Sequence, residues 1–158
     1  VMIGYHPKAR TGFLKALLGL PSVHKEEIKI EEVAYEKLKL MGLADRATRL
    51  AGDLSFGESK LLEIARALAA EPQILMLDEP IAGVPASEQA PVVSMIQEVN
   101  KLGVTVVLVE HNMRMVMSLC HEILVMRSGC YLAEGTPGEI SSNPEVISAY
   151  LGEESVHA

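Results

Sequence analysis

Three groups of residues in this chain carry side chains that could handle a metal ion, a proton or a phosphate. Asp78 and Glu79 directly follow an apolar run of strand length, residues 74–77, and His111 lies just beyond a second apolar run, residues 104–109. Ligands of α/β sheets bind at the carboxyl ends of the strands, so both groups are predicted to lie at such an edge. Carboxylates at that edge could hold Mg²⁺ and direct a hydrolytic water.

The third group is predicted to begin a helix. Ser55 and Glu58 have the Ser-x-x-Glu spacing of a capping box, and Gly57 lies between them. The unsatisfied N–H groups and the positive dipole end of a helix N-terminus bind phosphate. These residues could cap their own helix, contact a phosphate, or do both.

Taken together, the three groups resemble the motifs of ABC-type ATPases. Residues 54–58, here called the signature segment, are similar to the ABC signature, while Asp78 and Glu79 resemble the end of a Walker B strand and His111 resembles a switch histidine. The resemblance extends through almost the whole chain. Three further segments resemble the ATP-binding subunits of branched-chain amino acid importers: residues 109–113, 134–137 and 149–153.

The resemblance implies a role for each residue and two cofactors, ATP and Mg²⁺. Asp78 would hold Mg²⁺ through a water, Glu79 would be the catalytic base, and His111 would contact the γ-phosphate and hold Glu79 in line. The residues facing ATP on a second subunit would be Ser55, Phe56, Gly57 and Glu58. When the preceding apolar run is considered alone, the alternative is that Asp78 and Glu79 form a simple polar turn. A single histidine after a strand is likewise ordinarily structural.

The sequence departs from the family pattern at several positions. Phe56 replaces the usual Gly and Glu58 the usual Gln. A carboxylate at position 58 would repel a triphosphate unless it is protonated or turned back onto the Ser55 N–H. Pro85 replaces the Asp or Asn of the D-loop and offers neither a polar side chain nor an N–H. Pro91 implies that the next helix begins late or kinks.

A Gly-rich phosphate loop is absent from the sequence. No Gly-x-x-x-x-Gly-Lys-Ser/Thr occurs in the 158 residues, so no P-loop lysine is available. None of Gln73, Gln89 or Gln97 is placed to serve as the family's glutamine loop. Because the chain starts at Val1, we expect an N-terminally truncated piece that is inactive alone; Met2 as a genuine start is the alternative.

Composition limits the class of protein. A hydrophobic content of 49% in 158 residues is enough for one domain with a sizeable core. No apolar run approaches the roughly 20 residues of a membrane span, which predicts a cytoplasmic chain. The net charge of −7 without a basic stripe argues against nucleic acid as a partner. Cys120 and Cys130 lack metal-site spacing and are predicted to be buried thiols.

The periodicity predicts an α/β protein. Apolar runs of strand length alternate with helical patterns, which implies right-handed crossovers and a mainly parallel sheet. The predicted strands are residues 74–77, 104–109, 122–126 and 130–133, with a turn at Ser128 and Gly129 before the last of them. The predicted helices are residues 13–18, 25–41, 87–102, 113–119 and 146–151, with a short helical turn at residues 45–50. Two more helices are predicted to begin at capping boxes: one at Ser55 and Glu58, which ends at Glu71 and Pro72, and one at Thr136 and Glu139. By resemblance this is a partial P-loop NTPase fold of the ABC ATPase type.

Two regions follow from this pattern. Residues 1–71 are predicted to form the helical subdomain that includes the signature helix, and residues 72–158 the C-terminal half of the α/β ATPase core. Because the resemblance implies neighbouring strands upstream, a sheet edge and apolar surface are expected to be uncovered.

The resemblance implies an ATP-hydrolysing subunit of an ABC importer, for branched-chain or other hydrophobic amino acids. Such a subunit would pair with a second ATP-binding subunit, identical or not, and dock on transmembrane permease subunits at the inner face of the cell membrane. One alternative is a non-catalytic interaction module that contributes a signature face to a partner's ATP. Another is an ABC-type ATPase unconnected to transport, although the basic surfaces or long insertions expected of it are not visible.

Overall fold

The computed structural model describes residues 1–8 and 21–151. The helices are α1 (Pro21–Leu40), α2 (Phe56–Leu68), α3 (Ala86–Lys101), α4 (Met113–Leu119), α5 (Pro137–Ser142) and α6 (Pro144–Val146). The strands are β1 (Ile74–Asp78), β2 (Thr105–Val109), β3 (Ile123–Arg127) and β4 (Cys130–Gly135). Short 3-10 segments span Met2–Lys8, Ala44–Arg46 and Ala51–Asp53, and a π-helical turn spans Ile147–Leu151. The predicted helix at residues 13–18 lies outside the described residues.

Contacts divide the chain into two compact units, Val1–Val109 and a second unit that begins at Glu110. This is a division by packing. The division at residue 71 into a helical subdomain and an α/β part concerns function, and it stays a prediction. In the described ranges, no helix is both long enough and apolar enough to cross a membrane.

The helices of the first unit pack through apolar residues at helical spacing. In α2 the buried apolar side chains recur at Leu61, Ile64, Ala65 and Leu68, and α2 packs against both α1 and α3. Burying one such side chain contributes about 1.5–3 kcal/mol, so this shared face holds the three helices together. The capping-box helix is therefore anchored along its length, which fixes the direction of its N-terminus.

Strands β1 and β2 form a parallel pair, as the predicted crossover requires. Ile74 pairs with Thr105 and Asp78 with Val109, and the Glu79 N–H donates to the Val109 carbonyl at 2.9 Å. The crossover is α3, which begins at Ala86. Of the two predicted alternatives, the late helix start is excluded, because Pro91 lies inside the helix rather than in its first turn. The other, a kink at Pro91, stays a prediction.

The second unit contains an antiparallel hairpin. β3 pairs with β4 across Ser128 and Gly129, whose φ values of 51° and 79° form a two-residue turn with both residues in the left-handed region. The α/β class is confirmed. The mainly parallel arrangement is not seen for β3, because a two-residue turn can join only antiparallel strands.

Side chains from both strands and three helices form the core of the second unit. Its members are Val116, Ile123, Val125, Ala133, Ile140 and Val146. Thr136 and Glu139 close a capping box at the start of α5, as their spacing predicts. The prediction for the cysteines was wrong in part: Cys120 is half-buried, and Cys130 is exposed because it faces outward on β4 beside the turn.

Candidate functional site

The N-terminus of α2 is closed by a capping box. The Ser55 backbone is extended, with φ −66° and ψ 168°, which turns its side chain toward the helix. Ser55 Oγ accepts from the Glu58 N–H at 3.2 Å, and Glu58 Oε2 accepts from the Ser55 N–H at 3.0 Å. The predicted box is confirmed, and it satisfies two of the helix's initial N–H donors.

Glu58 is turned back toward its own helix. Its second oxygen, Oε1, accepts from Arg46 Nε at 3.1 Å. The Ser55 N–H, and after it the Arg46 side chain, hold the pKa of Glu58 below its ordinary value of 4.5. Glu58 is therefore ionised near neutral pH. Glu58 was predicted to avoid repelling a triphosphate either by protonation or by turning back onto the Ser55 N–H, and the structure shows the turned-back geometry.

A further carboxylate reaches the same helix end from α3. Glu88 Oε2 accepts from the Ser55 hydroxyl at 2.6 Å and from the Gly57 N–H at 3.0 Å. Gly57 is buried, and a Cβ added there would lie 2.8 Å from Glu88 Oε2 and 3.1 Å from Glu88 Cβ. A side chain at position 57 would therefore displace the Glu88 carboxylate and crowd Glu88 Cβ, so glycine favours this close approach of α3.

The side chain of Phe56 lies outside this network. Phe56 is 70% exposed at the first position of α2. An aromatic ring this exposed contributes little to folding, so the side chain is available to an external contact.

Asp78 and Glu79 lie together at the carboxyl end of β1. Asp78 is the last residue of the strand, and both residues are exposed. Glu79 has φ 44°, in the left-handed region, which costs about 1–2 kcal/mol for a residue with a Cβ. Its N–H is held by the Val109 carbonyl, which stabilises the turn that leaves the strand. Such strained residues cluster at functional sites.

Glu110 holds the backbone around His111. The Glu110 side chain is only 2% exposed, and its Oε2 accepts from the His111 N–H at 3.0 Å and the Asn112 N–H at 3.1 Å. Asn112 in turn caps α4 by accepting from the Met115 N–H at 3.2 Å. The His111 side chain is 77% exposed, with Nδ1 at 3.8 Å from the same Glu110 oxygen.

The structure thus brings the predicted site residues together in groups. Ser55, Gly57 and Glu58 share one hydrogen-bonded cluster, and Asp78 adjoins Glu79 at one strand end. Those residues belong to the first unit, whereas His111 belongs to the second. Sequence reasoning missed three partners: Arg46, Glu88 and Glu110.

The chemistry of these groups fits Mg²⁺ and a phosphate. No cluster of three or more His, Cys, Asp or Glu metal ligands occurs among residues 1–8 and 21–151. Mg²⁺ keeps most of its waters and needs only one or two carboxylates besides phosphate oxygens, so a single exposed Asp78 is compatible with it. The Ser55 hydroxyl and Gly57 N–H already bind an anionic oxygen, so their donor chemistry fits a phosphate.

Two family profiles match the chain. A profile described as "ABC transporter" matches residues 6–82, and one described as "Branched-chain amino acid ATP-binding cassette transporter" matches residues 132–156. The first match includes the signature segment together with Asp78 and Glu79. The chain belongs to the family of ABC transporter ATP-binding domains.

Within this family, the chain is similar to subunits of branched-chain amino acid transporters. It is 39% identical over 154 residues to the high-affinity branched-chain amino acid transport ATP-binding protein LivG of Escherichia coli (strain K12). It is 40% identical over the same length to BraF of Pseudomonas aeruginosa. Each alignment covers 97% of this chain, which spans 60% of the length of either relative.

Solved structures support the fold. The ADP conformation of MJ1267, described as an ATP-binding cassette of an ABC transporter, superimposes with a TM-score of 0.75 at 30% identity. The alignment covers 96% of this chain and 61% of that one. The prediction of a partial P-loop NTPase fold is confirmed.

Proposed function

We propose that this chain is part of an ATP-binding and ATP-hydrolysing subunit of an importer for branched-chain or other hydrophobic amino acids. The observation that carries the proposal is the similarity to LivG and BraF, which covers 97% of the chain and includes every predicted site residue. The match to a branched-chain amino acid transporter profile at residues 132–156 supports the same substrate class.

The signature segment would bind the ATP held by a second subunit. The Ser55 hydroxyl and the Gly57 N–H are the donors, and both lie at the positive end of the α2 dipole. Because Glu58 is turned back onto Ser55 and paired with Arg46, its charge is already compensated before a triphosphate approaches.

Asp78 and Glu79 would act on the γ-phosphate side of the reaction. Asp78 would hold Mg²⁺ through a water, and the Mg²⁺ would neutralise charge on the phosphates. Glu79 would orient the attacking water and accept its proton at the carboxylate, a role that requires hydrogen-bond reach of that water. His111 would contact the γ-phosphate, with its backbone held by Glu110.

The partners follow from the names of the relatives. An ATP-binding subunit of a transporter implies a second ATP-binding subunit and permease subunits in the membrane. We infer that this chain is located peripherally at the inner face of the cell membrane, through those permease subunits.

The test uses the complete subunit with its permease partners. Glu79→Gln keeps the size of the side chain but removes the base, so ATP binding is expected to persist while turnover falls at least about 10²-fold. Glu98→Gln is the matched control, because it removes the same charge from a surface pair with Lys101. Unchanged hydrolysis in Glu79→Gln would exclude Glu79 as the base.

Substrate class is tested separately. ATP-dependent uptake of leucine, isoleucine and valine into vesicles that contain the assembled transporter is expected. Uptake of methionine alone would contradict the branched-chain assignment while leaving the ATPase assignment intact.

A further inference from the structure

Three helices in the described parts of the chain have a glutamate at their third position. Glu58 in α2 and Glu139 in α5 each fold back and accept the N–H of their own N-cap residue, at 3.0 Å and 2.7 Å. In both cases the pKa of the carboxyl is lowered chiefly by that N–H. The third, Glu88 in α3, behaves differently.

The difference originates at the residue that precedes α3. The N-cap of α3 is Pro85, which makes no side-chain cap and has no N–H to offer Glu88. A capping box is therefore chemically impossible at this helix, although Glu88 stands at the right position for one. The Glu88 carboxylate reaches across to α2 instead.

On α2, Glu88 takes up the donors that would contact a phosphate. Its Oε2 accepts the Ser55 hydroxyl proton at 2.6 Å and the Gly57 N–H at 3.0 Å. Carboxylate and phosphate oxygens are both anionic acceptors, and each of these protons points toward one acceptor at a time.

The space around Gly57 is also filled by Glu88. A Cβ at position 57 would lie 3.1 Å from Glu88 Cβ and 3.4 Å from its carbonyl oxygen, in addition to the contact with Oε2. A phosphate oxygen could not approach the Gly57 N–H without moving the Glu88 carboxylate. A phosphate at the Gly57 N–H and the Glu88 carboxylate would also repel each other, because both are negatively charged.

We propose that Glu88 is an autoinhibitory positioning residue: it occupies the Ser55 and Gly57 donors of the signature segment until a partner's nucleotide displaces it, and Pro85 makes this possible. The proposal rests on the proposed phosphate-binding role of the signature segment. It adds a competitor that belongs to the same chain.

The test compares variants of this chain with inorganic phosphate as the probe. Amide nuclear magnetic resonance of Gly57 is followed during phosphate titration of the wild type, Glu88→Ala and Pro85→Asn. In Glu88→Ala the half-saturating phosphate concentration is expected to fall at least about tenfold, because a charge-assisted competitor is gone. Glu98→Ala is the control, since it removes an equal charge from the same helix, from a side chain that pairs with Lys101.

Pro85→Asn tests the cause and also guards against misfolding. The variant keeps the Glu88 carboxylate but supplies an N–H at the N-cap, so Glu88 is expected to form a capping box within α3. Phosphate is then expected to bind Gly57 more tightly than in the wild type, as in Glu88→Ala. If Glu88→Ala disturbs the amide spectrum of α2, the phosphate titration of Pro85→Asn tests the proposal instead. A phosphate response equal to that of the wild type in the folded variants would overturn the proposal and leave Glu88 as a structural tie.

The result is independent of transport. The titration uses neither ATP nor permease subunits, so a wrong substrate class or a wrong base would leave it unchanged. If instead no variant, including those without the Glu88 contact, binds phosphate at Gly57, both the competitor and the phosphate role of the signature segment fail. A normal loss of turnover in Glu79→Gln would then show that the ATPase assignment itself survives.

Discussion

At the scale of single residues, Glu58 shows how a charged residue is accommodated where the resembled family has Gln. The Ser55 N–H and Arg46 lower its pKa, so its ionised form is favoured in the folded chain. A depressed folded pKa contributes stability above the unfolded value near 4.5, and this stability is lost as the pH falls through the folded pKa.

Glu58→Gln should therefore be less stable than the wild type at neutral pH. The difference in the free energy of unfolding should be constant above about pH 6 and shrink as acid protonates Glu58 in the wild type. Urea unfolding at a series of pH values measures it. Glu139→Gln, at the other capping box, should show a difference of the same sign. A gap that widens on acidification would contradict the role given to these carboxylates.

Glu110 makes a second prediction at this scale. Glu110→Ala removes the acceptor for the His111 and Asn112 N–H groups from a side chain that is almost fully buried. We expect the free energy of unfolding to fall by about 1–3 kcal/mol and these two amides to exchange faster with solvent. Glu110→Gln keeps one acceptor oxygen and should lose less. Unchanged exchange at both amides would mean that the contact does not hold the His111 segment.

Sequence reasoning missed Glu88 for a physical reason. Types and spacing identified Ser55, Glu58 and Asp78, because their partners are local or their position follows from a strand end. The contact between Ser55 and Glu88 joins residues 33 apart and depends on how two helices pack. Sequence patterns carry local geometry, whereas this packing is tertiary. The proline at the N-cap of α3 was the signal that could have identified Glu88.

At the scale of elements, α3 contains an unusual residue. Pro91 lies inside the helix and is exposed. Because proline has no backbone N–H, the carbonyl of residue 87 loses its helical donor. Pro91→Ala restores that hydrogen bond without losing buried surface, and it is expected to stabilise the chain by about 2 kcal/mol after the greater freedom of the unfolded chain is allowed for.

Urea unfolding checks the Pro91 prediction. Pro137→Ala is the control, because Pro137 lies at the first position of α5, where a proline has no hydrogen bond to lose. Pro137→Ala is therefore expected to give no gain in the free energy of unfolding. A Pro91→Ala variant no more stable than the wild type would show that α3 has already adapted to the proline.

The sequence pattern predicted the type of each described α-helix and strand, but neither the 3-10 segments Met2–Lys8 and Ala51–Asp53 nor every strand pairing. The helices of residues 25–41 and 87–102 and the first two strands agree with the structure within a few residues. The pairing of β3 was not predicted because its partner depends on the turn that follows. Ser128 and Gly129 were recognised as a turn, and a turn that short commits β3 to β4.

At the scale of the whole molecule, the first unit exposes one face of its sheet. The register places alternate residues of β1 and β2 on the same side, and this side is exposed. Its apolar members are Ile74, Met76, Val107 and Val109, and its polar members are Asp78 and Thr105 at the two ends of the pairing. The opposite side includes the buried Leu75. The prediction of uncovered apolar surface is confirmed for this face. That prediction came from the family resemblance, because composition alone does not show which residues are exposed.

An apolar patch of this kind should cause the chain to associate with itself. Met76 is 74% exposed and lies in register with Val107, which is 42% exposed, so Met76→Lys places a charge in the middle of the patch. We expect wild-type mass in sedimentation equilibrium to rise with concentration and Met76→Lys to weaken this association at least about tenfold, since desolvating a lysine costs more than burying a methionine gains. Leu102→Lys is the control, because Leu102 is exposed beyond the end of α3 and not on this face. Equal association in Met76→Lys and the wild type would place the contact elsewhere on the molecule.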